Sequence, residues 1–221
     1  MNSDTMIRIF LLVVGNTLAL LLALSALQTT AGNALGWVLF VVAIVYMAGG
    51  VFVLWLDYDK EAPRNSWIGH RSFWWTILGF AAALFGPLLE YRHLPPFLPR
   101  SPEMQIAGLG LVVLGLTFRG WAYLAERRTR SGRAPSRPGL AMVVEGPYRL
   151  ARHPGWLGLL LVALGMSIGY SSVIGLVAAL LLLMPGLAWR IHAEEKLRLQ
   201  VFGEEYRSYC RRTKRLVPGI W

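Results

Sequence analysis

The chain has 221 residues, of which 55% are hydrophobic and only 15% charged, with a formal net charge of +10. That balance excludes a single water-soluble core of ordinary composition and suits several bilayer spans. The one cysteine, Cys210, excludes an intramolecular disulfide.

Taken in chain order, residues 6–27, 35–56, 73–89, 104–124 and 173–189 are long enough, or nearly so, to cross a hydrocarbon layer that needs about 20 apolar residues per helix. The first of these exceeds a secretory apolar region, carries almost no flanking positive charge and lacks an A-x-A site, so it is expected to stay as an anchor. A sixth, shorter stretch at 156–168 runs through Gly169, Tyr170, Ser171 and Ser172 into the last span and predicts a helical hairpin. The expected fold is all-α: a polytopic membrane protein of about six transmembrane helices, with a C-terminal hairpin and a cytoplasmic amphipathic helix. The polar, Arg-rich stretch 127–139 divides an N-terminal anchor, 1–103, from a C-terminal module, 104–221.

The cations are distributed by loop. Lys60, Arg64 and Arg71 fall in the second loop, Arg127 to Arg152 in the fourth, and Arg190 to Arg215 in the tail, while the first and fifth loops have none. By the positive-inside rule this alternation predicts both termini in the cytoplasm, and nucleic-acid binding is not needed to explain the charge. Arg149 is accounted for by the same rule; Arg152 is either such an anchor or part of the hairpin's polar site. Nothing in the sequence specifies an oligomeric state.

Ionisable residues beside apolar spans are costly and mark function. They gather at the two ends of the predicted hairpin. Arg152 and His153 enter the fifth helix ahead of Pro154, a residue suited to the first helical turn, which leaves His153 at the cap position. Arg190 and Glu194 leave the sixth helix four residues apart, on one face. Pro185 is expected to kink that helix and open a pocket. Leu199, Phe202, Tyr206 and Tyr209 recur at helical spacing, as an amphipathic helix on the membrane surface or over the pocket. Tyr206 and Tyr209 read as interfacial anchors, and Glu195 as a solvated neighbour of Glu194. Gly108 and Gly110 look like part of a dinucleotide loop, but no strand precedes them; close helix packing accounts better for them, as for Gly165 and Gly169.

The pattern R-H-P-x-aromatic-x-G at Arg152 to Gly158, then Glu194-Glu195, then Phe202-Gly203-Glu204-Glu205-Tyr206, resembles the isoprenylcysteine carboxyl methyltransferase family. Phospholipid N-methyltransferases share the R-H-P and E-E elements. The resemblance runs from about Arg119 to the C-terminus. It implies an S-adenosylmethionine (SAM) methyltransferase acting at the cytoplasmic membrane interface on a lipophilic or lipidated acceptor, surrounded by membrane lipids. It further implies that Leu140, Ala141, Met142, Val143, Tyr148, His153, Pro154, Gly155, Trp156 and Glu194 bind SAM. Arg190 would face the acceptor carboxylate, making Arg190 and Glu194 the catalytic pair, with no metal. Trp156 stands where the family usually has Tyr, and Leu140 where it often has His. Arg119, near the cytoplasmic end of the fourth span, either snorkels to the interface or joins the pocket, as the family's Arg at that place does.

Other readings are an N- or S-methyltransferase of a phospholipid or small lipid, a haem or quinone protein ligated through His153 and His192 with His70 or His93, and an NADPH reductase.

Overall fold

The computed structural model describes residues 67–95, 97–132 and 142–217. The expected spans at 6–27 and 35–56, and the site residues Leu140 and Ala141, lie outside the described residues. What is described is helical: α1 (Trp67–His93), α2 (Pro102–Gly132), a 3-10 turn (Gly146–Arg149), α3 (Pro154–Gly169), α4 (Val173–Ala178) and α5 (Met184–Arg212). A wide π turn, Ala179–Leu183, joins α4 to α5. No strand occurs among the described residues; Ala151 and Lys214 form an isolated parallel bridge. Two helices, Pro102–Thr129 and the continuous Val173–Arg212, are long and apolar enough to cross a membrane, and Pro154–Gly169 is a shorter apolar helix.

Each start has a local cause. Pro102 opens α2 after Ser101, whose Oγ accepts from the Met104 N–H at 3.4 Å, and Pro154 occupies the first turn of α3, where no N–H is needed. Ser172 caps α4, accepting from Gly175 N at 2.9 Å. The same hydroxyl donates to Glu90 of α1. Glu90 also accepts from the N–H groups of Val173 and Ile174 at 3.2 and 2.8 Å, so a carboxylate from a distant helix completes the cap.

The helices approach through small residues, as membrane helices do. A Cβ on Gly108 would lie 2.4 Å from the Gly169 nitrogen, and one on Gly115 would lie 2.6 Å from the Gly158 carbonyl oxygen. Gly165 meets Gly108 in the same seam, whereas a Cβ on Gly110 would meet nothing. The packing account therefore holds for Gly108, Gly165 and Gly169 but not for Gly110. Leu84, Met166, Leu183 and Leu187 fill the core between α1, α3 and α5, while Leu78, Ile106, Val113 and Leu181 face outward.

Two expectations change. The backbone irregularity lies not at Pro185 but in the π turn just before it, and Leu183 and Met184 keep helical backbone angles. The last helix is also not regular through its polar part. It runs on through Arg190 to Arg212 and breaks only at Gly203, whose φ of 54° is a conformation glycine adopts without a Cβ penalty. The break divides the stretch Leu199 to Tyr209 and folds its second half inward.

Candidate active site

His153 sits at the entrance of α3 with φ −129° and ψ 59°, and its side chain does not cap the helix. Its carbonyl does, accepting from Trp156 N and Leu157 N at 3.1 and 3.0 Å. The imidazole, 2% exposed, is thereby released to point at α5: Nδ1 lies 3.5 Å from Glu194 Oε2 and Nε2 3.6 Å from Glu195 Oε1. Trp156, three residues on in the first turn of α3, donates from its indole to Glu194 Oε2 at 3.2 Å.

Glu194 is the meeting point. Besides His153 and Trp156, Arg190 Nε donates to its Oε1 at 2.9 Å, one turn back. Arg198 stands 3.9 Å from its Oε2, one turn ahead. Two guanidiniums, an indole and an imidazole thus surround one carboxylate, itself only partly exposed, a concentration of charge that keeps the acid ionised and the cations in place.

Behind this centre lies a second one. Arg152 is buried rather than solvated. Its Nη1 donates to the carbonyls of Cys210 and Thr213 at 2.9 and 3.1 Å, and its Nε lies 2.9 Å from Glu195 Oε1. Glu195 is buried, against the expectation of a solvated neighbour, because its other oxygen accepts from Arg215 at 2.9 Å. Arg149, in contrast, is exposed.

The turn before α3 is held from both sides. Tyr148 is buried, donates its hydroxyl to Glu126 at the end of α2, and accepts at its carbonyl from Tyr209 at 2.7 Å. Burial, then the charge of Glu126, push the Tyr148 phenol well above its ordinary value of about 10. Tyr206 is 1% exposed. Neither tyrosine of the tail is an interfacial anchor; the break at Gly203 turns both into the protein. Gly146, with φ 61°, lets the chain pass under Trp121, whose Nε1 would lie 3.1 Å from any Cβ there.

Of the remaining expected site residues, Pro154 is buried and Gly155 half-buried, and Arg119 turns inward to donate to the Gly155 carbonyl at 3.4 Å. Met142 and Val143 are half-buried in the segment leading to the 3-10 turn. His93 and His192 are exposed, and His153 has a carboxylate near each ring nitrogen. Sequence reading missed Glu126, Arg198 and Arg215. Arg198 had a signal, since it follows Glu194 by the same four residues that Arg190 precedes it. Glu126, an acid just past a long apolar run, had a weaker one. Arg215 had none.

The phospholipid methyltransferase family model matches residues 104–205. A probable protein-S-isoprenylcysteine O-methyltransferase from Oryza sativa subsp. indica is 28% identical over 194 residues, covering 86% of this chain and 99% of that protein. Protein-S-isoprenylcysteine O-methyltransferase B of Arabidopsis thaliana is 28% identical over 64% of this chain and 74% of its own length. The Schizosaccharomyces pombe protein-S-isoprenylcysteine O-methyltransferase is 26% identical over 75% and 73%. The chain is a relative of the isoprenylcysteine O-methyltransferases. It stands among methyltransferase enzymes, and the matched stretch of the phospholipid methyltransferase family takes in every residue that converges on Glu194. Arg215 and α1 lie beyond that stretch.

Proposed function

We propose that this chain transfers a methyl group from SAM to a lipophilic acceptor at the cytoplasmic face of a membrane, the acceptor group being the carboxylate of an isoprenylcysteine-like molecule. One observation carries the reading: a histidine and a tryptophan from α3 and an arginine from α5 converge on the single carboxylate of Glu194. The relatives' names supply the acceptor class.

The donor set fits such a cofactor. Glu194 offers an anion for its ammonium, and Trp156 an aromatic face for its sulfonium. Tyr148, His153, Pro154, Gly155 and, by the resemblance alone, Leu140 to Val143 would contact it. Arg190 offers a guanidinium to the acceptor carboxylate. When bound, SAM supplies an electrophilic methyl group on a cationic sulfur, and an ionised carboxylate accepts it without giving up a proton. The protein's share is therefore to bind, orient and keep water out, and aligning two reactants in this way is worth roughly 7 to 11 kcal/mol. Burial of His153 beside Glu194 serves the exclusion of water.

The rest of the proposal is architectural. Six spans, including the apolar segments at 6–27 and 35–56, place both termini and the site in the cytoplasm, with 1–103 as anchor and 104–221 as catalytic module. The acceptor enters from the bilayer, and water-soluble SAM from the cytoplasm.

Calorimetric titration with S-adenosylhomocysteine tests the donor site. Wild type is expected to bind, and Glu194→Ala to bind at least about tenfold more weakly, the scale of losing a charge-assisted contact. Folded wild-type protein that does not bind would overturn the proposal. A second reading, methylation of a phospholipid amine, is favoured by the description of the matching family. Incubation with labelled SAM and either an S-isoprenylated cysteine or phosphatidylethanolamine separates the two, since only the first yields a base-labile methyl ester.

A further inference from the structure

After Arg212 the chain does not trail away. Residues 213–217 return along the turn that precedes α3: Arg152 N donates to Lys214 O at 2.8 Å and His153 N to Arg215 O at 3.0 Å. Leu216 is fully buried against Leu157 and Ile191. This return depends on Gly203, which redirects the end of α5 so that its last carbonyls meet the Arg152 guanidinium.

The strap delivers one charge. Arg215 takes Oε2 of Glu195 while Arg152 lies against Oε1, both at 2.9 Å, and Oε1 is the oxygen that faces His153 Nε2 at 3.6 Å. A carboxylate hydrogen-bonded at one oxygen and charge-paired at the other is restrained from turning. It therefore stays just outside hydrogen-bonding distance of the imidazole, whose other nitrogen faces Glu194. Without Arg215, Oε2 loses that hold. Glu195 could then turn toward Nε2 and draw the ring off Glu194, because a buried carboxylate that loses a partner seeks another donor.

The geometry points to Arg215 as a positioning residue, acting through Glu195 to set the imidazole of His153 in the donor site, so that one charge of the C-terminal strap, and not its apolar anchor, bears on binding. The inference rests on the SAM reading above.

The experiment compares three variants of the full chain by S-adenosylhomocysteine calorimetry and thermal unfolding. Arg215→Gln removes the charge, Arg215→Lys keeps it with a single-point contact, and Leu216→Ala trims a buried side chain of the same strap while leaving both charged partners of Glu195 in place. Arg215→Gln is expected to weaken binding about tenfold, the scale of losing a supporting contact around a bound group. Arg215→Lys should recover part of that loss, and Leu216→Ala should melt earlier while binding like wild type. Wild-type affinity in Arg215→Gln would overturn the inference and leave the donor reading standing. So would affinities that fall in step with melting temperature in both Arg215→Gln and Leu216→Ala, since the strap would then be structural only. Failure of wild type itself to bind removes the donor reading, and this inference with it.

Discussion

The indole of Trp156 and the carboxylate of Glu194, 38 residues apart in sequence, are joined by a 3.2 Å hydrogen bond that ties the first turn of α3 to α5. Trp156 therefore has two separable attributes, an N–H that orients Glu194 and a π-face. Trp156→Phe keeps the face and removes the donor; the dissociation constant for S-adenosylhomocysteine should rise about threefold to tenfold. Trp156→Ala should lose more. Equal affinities for the two variants would mean that the face contributes nothing.

Tyr148 yields a prediction about pH. Its folded value is raised, so its contribution to stability is fully present below the ordinary tyrosine range and is lost as pH climbs from that range toward the folded value. In the folded protein the phenol stays protonated where exposed tyrosines ionise. Ultraviolet titration of native wild type and Tyr148→Phe should therefore show the same phenolate amplitude through the ordinary range. The variant should be less stable near neutral pH by about 1 to 3 kcal/mol, having removed a donor to Glu126. A smaller phenolate signal in Tyr148→Phe than in native wild type would contradict this.

Gly108 and Gly110 separate packing from propensity on one helix. Gly108→Ala drives a methyl into the α3 backbone and should cost about 1 to 3 kcal/mol as the helices part. Gly110→Ala enters open space and should gain up to about 1 kcal/mol through helix propensity alone. Melting temperatures in one detergent check both signs. Two variants that shift in the same direction would mean that the seam is not close-packed there.

Much of the candidate site was legible before any coordinates. The helical content of 104–124 and 173–189, the start of α3 at Pro154, and the shared face of Arg190 and Glu194 follow from runs, caps and a spacing of four, all expressed within a few residues. The family motif directed attention to His153, Trp156 and Glu194, which the fold brings together.

Glu195 shows where such reading ends. Adjacent helix residues point about 100° apart, so whether the second acid of the pair faces water or protein depends on what lies opposite. Here that is Arg152 from before α3 and Arg215 from the returning tail. Tyr206 and Tyr209 differ from an interfacial pair for the same reason: a single glycine, Gly203, turns them inward. Glu90 completes the cap of a helix more than 80 residues away. The sequence by itself determined which segments are helical, which are apolar enough for a bilayer, and which charges crowd their ends, because periodicity and hydropathy are local properties. Only the tertiary structure decided which of those charges meet, because each pairing depends on the path of the chain between the partners, and no spacing rule encodes that path.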